Sequence, residues 1–180
     1  MSTTQGSTLS HLIGSTEAQT SLDTFTTAAA LGAAITIPAN TLQQGSVLRG
    51  TMAGNVSTTG TPTFTLAVEI DSVTTGTFVT MLTTGALTTG SGLSSVGYVF
   101  KYWGTVRSTG ATGTILFAIE LSSNDTAANS AKFWFVGCDS TADTVDTTKD
   151  LQVRVTAACG SSSSSNIITA EVHNLYVDGI

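Results

Sequence analysis

The chain is poor in charged residues, and most of those it has are acidic. Lysine and arginine number only six among 180 residues, and charged residues of both signs make up 10%, against about 25% in an average soluble domain. The six cations are scattered singly, so no basic stripe is available to neutralise a run of phosphates, and we predict no nucleic-acid partner. The net charge of −6 disfavours anionic lipid, and no apolar run approaches the roughly 20 residues of a membrane span. We therefore predict no membrane partner.

Catalytic motifs are also missing. The only histidines are His11, in a polar N-terminal stretch, and His173, which we expect to be exposed near the end of a strand. No nucleophile motif, glycine-rich phosphate loop or zinc-protease motif occurs. Glu69 and Glu120 could form a glycosidase-type carboxylate pair only if the fold brought them together, and both fit outward faces of strands better. We predict no catalytic residue, no cofactor and no enzyme activity.

Cysteine is rare as well. Cys138 and Cys159 are too few for a disulfide framework. We expect two free thiols; the alternative is a bond formed late, within or between subunits. The first 21 residues lack the positive and apolar regions of a signal peptide, so export by that route is disfavoured.

Hydroxyl side chains take the place of charge. The chain has 35 threonines and 21 serines, and threonine is β-branched and suits a pleated surface. Apolar residues alternate with polar ones in several segments, which indicates strands with one buried and one solvated face, as in a sandwich of antiparallel sheets. The predicted strand segments are 24–38 (one strand or two), 47–54, 64–70, 77–82, 96–107, 114–121, 132–136, 151–156 and 167–177.

Within the last segment the alternation changes phase. Ile168, Ala170 and Val172 are in step, whereas Leu175 and Val177 are not. One inserted residue restores the pattern, so we predict a β-bulge near residues 173–174.

The N-terminal segment, residues 1–23, is polar and aperiodic. Leu9, Leu12 and Ile13 are its only apolar cluster. Two interpretations stay open, a frayed tail and an arm that becomes ordered when a partner receives it.

An acidic segment, "CDSTADTVDTTKD", contains Asp139, Asp143 and Asp146. Calcium is held by six to eight oxygens, so these carboxylates are weak candidates for a metal site. Their spacing does not match an EF-hand, and an acidic solvated loop is the simpler interpretation. We predict no metal.

Two segments, "GYVFKYWGTVR" and "KFWFV", carry bulky residues on both strand faces. One sandwich has a single core, so some of this apolar area needs another partner. We predict a subunit interface that includes Tyr98, Trp103, Phe133 and Trp134. The alternative is that Trp103 or Trp134 stacks on a sugar ring.

Several of these segments carry a resemblance. The strand entry "IPANTLQQGSVLRG", the hairpins "STTGTPTFTL" and "TVRSTGATGT", and the last strand "SNIITAEVHNLYV" are similar to a group of small jelly-roll-like virion structural proteins of tailed bacteriophages. The resemblance covers about residues 33–177. It implies a virion component such as a capsid decoration protein, a head fibre, a spike or a tail part. Residues 127–148 and the two cysteines depart from the pattern.

Together these observations predict an all-β antiparallel jelly-roll sandwich over residues 24–180, with an N-terminal arm or tether at 1–23. We expect a non-enzymatic capsid decoration protein that binds the major capsid protein and stabilises the head shell. It would be made in the host cytoplasm and assembled on the virion surface as a homotrimer, with Leu9, Leu12 and Ile13 as the capsid tether. The alternative function is a carbohydrate- or receptor-binding module of a phage spike or tail. The predicted core contains Leu48, Phe64, Leu66, Val68, Ile70, Phe100, Val106, Ile115, Phe117, Val153, Val155 and Ile168.

Overall fold

A computed structural model of the protein describes residues 10–16, 20–72, 77–124 and 134–179. Within these ranges the protein has fourteen β-strands and no helix, hence no helix long and apolar enough to cross a membrane. The strands are β1 (Ser10–Thr16), β2 (Thr20–Leu22), β3 (Ala29–Ala30), β4 (Ile35–Ile37), β5 (Val47–Ser57), β6 (Thr63–Asp71), β7 (Val79–Thr83), β8 (Leu87–Thr88), β9 (Val96–Ser108), β10 (Gly113–Ser123), β11 (Phe135–Cys138), β12 (Asp143–Val145), β13 (Leu151–Cys159) and β14 (Ile167–Asp178).

The strands form two antiparallel sheets that pack face to face as a β-sandwich. The larger sheet has the order β1-β14-β5-β9-β10-β11. In addition, β2 pairs with β14, and β12 pairs with β10. The smaller sheet has the order β3-β13-β6-β7. In addition, β4 pairs with β13, and β8 pairs with β6. The prediction of an all-β antiparallel sandwich is confirmed.

The core lies between the two sheets and consists of the inward rows of the alternating strands. All twelve predicted core residues are buried. The inward row of β6 is Phe64, Leu66, Val68 and Ile70, and it faces the inward rows of β9 and β10. Such alternation buries one face of each strand and leaves the other available for function.

Most predicted strand segments coincide with observed strands. Segment 24–38 contains two short strands, β3 and β4, rather than one long one. The strand predicted at 132–136 begins at Phe135, and residues 132–133 lie outside the described residues. The short strands β8 and β12 were not predicted, because two or three residues carry too little alternation to be recognised.

The predicted bulge is present in β14, although it lies slightly earlier. The pairing of β14 with β5 shifts register between Ala170 and Val172, so Glu171 is the inserted residue. The residues after the bulge change face, and His173 consequently points into the core with only 1% of its surface exposed. The prediction that His173 is an exposed strand-end residue is therefore wrong.

Part of the predicted arm is paired into the larger sheet. Strand β1 is an edge strand on β14, and β2 pairs with the same strand. Ile13 packs against the core, whereas Leu12 is exposed. Leu9 lies outside the described residues.

Candidate functional site

The outer face of the larger sheet carries a row of side chains that crosses six strands. Directly paired residues of antiparallel strands project to the same side of a sheet, and a strand spacing of about 4.8 Å makes such a row about 24 Å long. In strand order from β1 to β11, the row consists of Leu12, Tyr176, Arg49, Trp103, Ala118 and Cys138. We call it the central row. It places the predicted outward residue Trp103 in the middle of the sheet face.

The two faces of β9 have different roles, as the alternation predicts. Tyr98 and Tyr102 point inward and are buried, whereas Lys101 and Trp103 are partly exposed. Tyr98 is only 2% exposed and donates a hydrogen bond to the carbonyl of Thr169 at 2.9 Å. The prediction that Tyr98 belongs to a subunit interface is corrected, since its side chain lies in the core of its own chain.

Tyr102 reaches across the neighbouring strand to His173. Its hydroxyl oxygen lies 2.8 Å from Nε2 of His173, and the ring passes over Gly50 of β5. A Cβ atom at Gly50 would lie 1.8 Å from Cζ of Tyr102, so this position must lack a side chain. Nδ1 of His173 has no hydrogen-bond partner among the described residues, and burial lowers the pKa of His173 to about 4.

A depression of about 400 Å3 opens on the outer face beside Trp103, and we call it the Trp103 depression. Its lining consists of Arg49, Gly50, Thr51, Lys101, Trp103 and Tyr176. Two aromatic side chains and two cations thus line the depression. Between the two aromatic side chains, β5 contributes only the small residues Gly50 and Thr51. An arrangement of this kind offers rings for stacking and N–H and O–H groups for hydrogen bonding.

Each cation of the Trp103 depression has a carboxylate neighbour. Nε of Arg49 is paired with Oδ2 of Asp178, and this hydrogen bond is the main cause of the raised pKa of Arg49. Nζ of Lys101 lies 4.0 Å from Oε2 of Glu120, and both side chains are substantially exposed. That distance is longer than a hydrogen bond, so the Glu120 contact leaves the N–H groups of Lys101 available to a ligand.

A second feature of the larger sheet is an apolar patch at β11. Trp134 is 57% exposed and Val136 is 59% exposed, and we call these two residues the β11 patch. Val136 pairs with Glu120, which places it on the outer face, while Phe135 packs against the core. Phe133, predicted at the same interface, lies outside the described residues.

The acidic candidates lie beside β10, at the edge of the larger sheet. Burial raises the pKa of Asp139 and also that of Asp143, to which the charge of Asp139 contributes further. Asp146 instead accepts hydrogen bonds from the hydroxyl and the N–H of Thr148, at 2.6 and 3.0 Å, and these lower its pKa. Among the described residues no group of three potential ligands could hold a metal ion.

The two glutamates considered as a catalytic pair do not meet. Glu69 lies on β6 of the smaller sheet and Glu120 on β10 of the larger sheet, each out of step with the inward rows. The core therefore separates them. Glu69 is instead buried against Arg154, with Oε2 2.7 Å from Nη2, and the guanidinium stacks on Phe78 at 3.7 Å.

The cysteines also lie in different sheets. Cys138 is exposed at the end of β11, and Cys159 is buried at the end of β13. Both are free thiols in the structure, and the Cys159 thiol donates to the carbonyl of Ser161 at 3.2 Å.

Sequence reasoning identified Trp103 but missed Arg49, Thr51 and Tyr176. Alternation alone could have placed each of them on an outward face. What the sequence does not contain is the pairing register of β14, β5 and β9, which brings the three strands together at one point.

Comparison with known proteins adds no assignment, since no protein-family model and no curated protein matches this chain.

Proposed function

We propose that the protein is a non-enzymatic virion structural protein that assembles through the outer face of its larger sheet. The observation that carries the proposal is the β11 patch, in which two large apolar side chains, Val136 on the edge strand β11 and Trp134 just before it, are more than half exposed. Exposed apolar area is worth roughly 25 cal/mol per Å2 when it is removed from water. Clusters of such residues mark protein interfaces more often than free surface.

A second copy of the chain is the first partner that we propose. Most oligomers of identical subunits close into symmetric rings, and we propose a homotrimer that buries the β11 patch together with Phe133 and the edge of Trp103. Tyr98 is not part of this interface. The role in a particle rests on the sequence resemblance to phage virion proteins.

We further propose that the connectivity is that of a jelly roll. In the larger sheet the path β1-β14-β5-β9 places the last strand between two earlier ones, and in the smaller sheet the path β3-β13-β6-β7 does the same with the penultimate strand. Two interleaved Greek keys produce this order. Strands β10 to β12 are then an insertion that widens the larger sheet.

The particle partner in this proposal is the major capsid protein, and the location is the virion surface, reached after synthesis in the host cytoplasm. The chain would act as a decoration protein that stabilises the head shell. Of the three tether residues, Leu12 is the one that the structure describes as exposed, so we propose it as an anchor. Ile13 supports the edge strand from the core side.

Two experiments test this proposal. Light scattering at micromolar concentration should give the mass of three chains, and Val136→Ser or Trp134→Ala should shift it to one. Val79→Ser is the matched control, because Val79 is 57% exposed but lies on the smaller sheet. A monomer in the wild type, or equal effects of the Val79 and Val136 changes, would refute the interface.

The virion role needs the particle itself. Mass spectrometry of purified particles of the phage that encodes the chain should detect it in many copies. Its absence from those particles would refute the structural role.

Carbohydrate binding is the second candidate function, and the Trp103 depression favours it. Aromatic rings that flank a shallow polar floor suit a sugar, whose ring stacks on an indole while its hydroxyls find donors. A glycan array should show binding that Trp103→Ala abolishes and Trp134→Ala preserves. Silence of the array for the wild type would remove this candidate.

A further inference from the structure

We infer that the Trp103 depression selects a pyranose that carries a carboxylate, such as a uronic or a sialic acid. This inference rests on the proposal that the depression binds carbohydrate, and it names the class of sugar. Three features of the depression support it: its shape, the sign of the charges that line it, and the availability of Lys101.

The shape follows from the strands that form it. Trp103 on β9 and Tyr176 on β14 are separated by a single strand, β5, so their Cα atoms are about 10 Å apart at ordinary strand spacing. Between them β5 contributes the short Thr51 and the backbone of Gly50. The gap between the two aromatic side chains therefore suits a single ring-shaped group that turns an apolar face toward one of them. A pyranose is a group of this kind.

The charges of the lining have one sign. The lining residues include Arg49 and Lys101 and neither aspartate nor glutamate. Of the charged groups that face these cations, Asp178 is paired with Arg49, and Glu120 lies 4.0 Å from Lys101. The two cations line the depression and their carboxylate neighbours do not, so a ligand in the depression contacts the cations directly although the chain has a net charge of −6. The net negative charge of the rest of the chain would repel a nucleic acid, which extends far beyond the depression. A single carboxylate on one sugar would interact mainly with the charges that lie next to it in the depression.

Lys101 is the group that would read the carboxylate. Its ammonium has three N–H donors, and the distance to Glu120 is too long for a hydrogen bond. A hydrogen bond between an ammonium and a carboxylate is roughly twice as strong as a neutral one. A sugar that differs only by the loss of its charge should accordingly bind about tenfold more weakly.

The test uses sugars that differ only in the carboxylate. Calorimetry compares sialyllactose with its methyl ester, and oligogalacturonate with its methyl ester. We expect the acidic member of a pair to bind about tenfold more tightly, and Lys101→Gln to make the affinities for the two members of a pair equal. Arg107→Gln is the control, because Arg107 is an exposed cation of the same strand outside the depression. In a Trp134→Phe background, quenching of the one remaining tryptophan reports contact with Trp103.

The outcomes separate the two levels of the inference. Equal binding of the acidic and neutral members refutes the charge selection and leaves the carbohydrate candidate in place. Binding that survives Trp103→Ala places the sugar elsewhere and refutes the site. If no sugar binds on a broad glycan array, both the inference and the carbohydrate candidate are refuted. Binding of an acidic peptide in place of all acidic sugars would also refute the inference.

Discussion

Acid should destabilise this protein through one buried side chain, His173. The imidazole is 1% exposed and its pKa in the folded state is about 4, whereas in the unfolded chain it is about 6.5. Because its folded pKa is lowered, the unfolded state binds the proton first as the pH falls. The contribution of His173 to stability is therefore complete above about pH 6.5, decreases between about pH 6.5 and 4, and is constant below that.

The magnitude is large enough to measure. A pKa difference of one unit corresponds to about 1.36 kcal/mol, so the loss over this range is about 3 kcal/mol. Domains are stable by only about 5–15 kcal/mol, and urea unfolding at a series of pH values resolves such a change. The variant His173→Gln keeps a polar group that can bond the Tyr102 hydroxyl and does not titrate. We expect its free energy of unfolding to fall less than that of the wild type between pH 7 and 4.5.

The test compares the pH dependence of the free energy of unfolding of the wild type with that of His173→Gln. The carboxyls of Asp139, Asp143 and Asp146 also titrate in acid, but both proteins contain them, so their effect cancels in the comparison. Parallel curves for wild type and His173→Gln would show that His173 is not held neutral, and would refute the reasoning. Tyr102→Phe is a second check. It removes the hydroxyl partner at a cost of about 1–3 kcal/mol, but the pH slope should remain, because burial and not the hydrogen bond lowers the pKa.

Three further predictions concern stability, measured as the melting temperature or by urea unfolding at pH 7. Gly50→Ala should destabilise by about 1–3 kcal/mol because its Cβ would overlap the buried Tyr102 ring; Gly97→Ala, whose Cβ would meet nothing closer than 3.8 Å, is the control, and equal effects would contradict the overlap. Asp143→Asn should raise the melting temperature because it removes a carboxylate that burial and a like charge disfavour. Asp146→Asn should lower the melting temperature because it removes a carboxylate that accepts hydrogen bonds. Shifts of the same sign in the two variants would contradict this account. Arg154→Ala should cost about 2 kcal/mol because it leaves a buried glutamate without its guanidinium partner, and an unchanged stability would show that the pair is dispensable.

The sandwich and its core could be predicted because each depends on a local pattern. Alternation with a period of two identifies a strand and its buried face without knowledge of the partner strand. Phe64, Leu66 and Val68 were assigned to the core in this way, and all are buried. The same rule placed Trp103 on the opposite face of β9 from Tyr102.

The sequence-based predictions are wrong where the environment of a side chain depends on the pairing register of its strand. The sequence predicts an exposed His173 beside a bulge near residues 173–174, yet the inserted residue is Glu171, so the phase has already changed before His173. Tyr98 was assigned to an interface because bulk on both faces of β9 does not reveal which face is the core. Its hydrogen bond to Thr169 depends on a strand at the other end of the chain.

The core contact and the candidate binding site have a common origin in the segment "RGT" of β5. Gly50 leaves room on the inner side for Tyr102 to cross the strand toward His173. Thr51, one residue later and therefore on the outer side, leaves room beside Trp103 for the depression. A central strand with small residues on both faces allows the large rings of β9 to occupy space above it on either side. The threonine- and glycine-rich composition thus determines where the aromatic side chains of the neighbouring strands can lie.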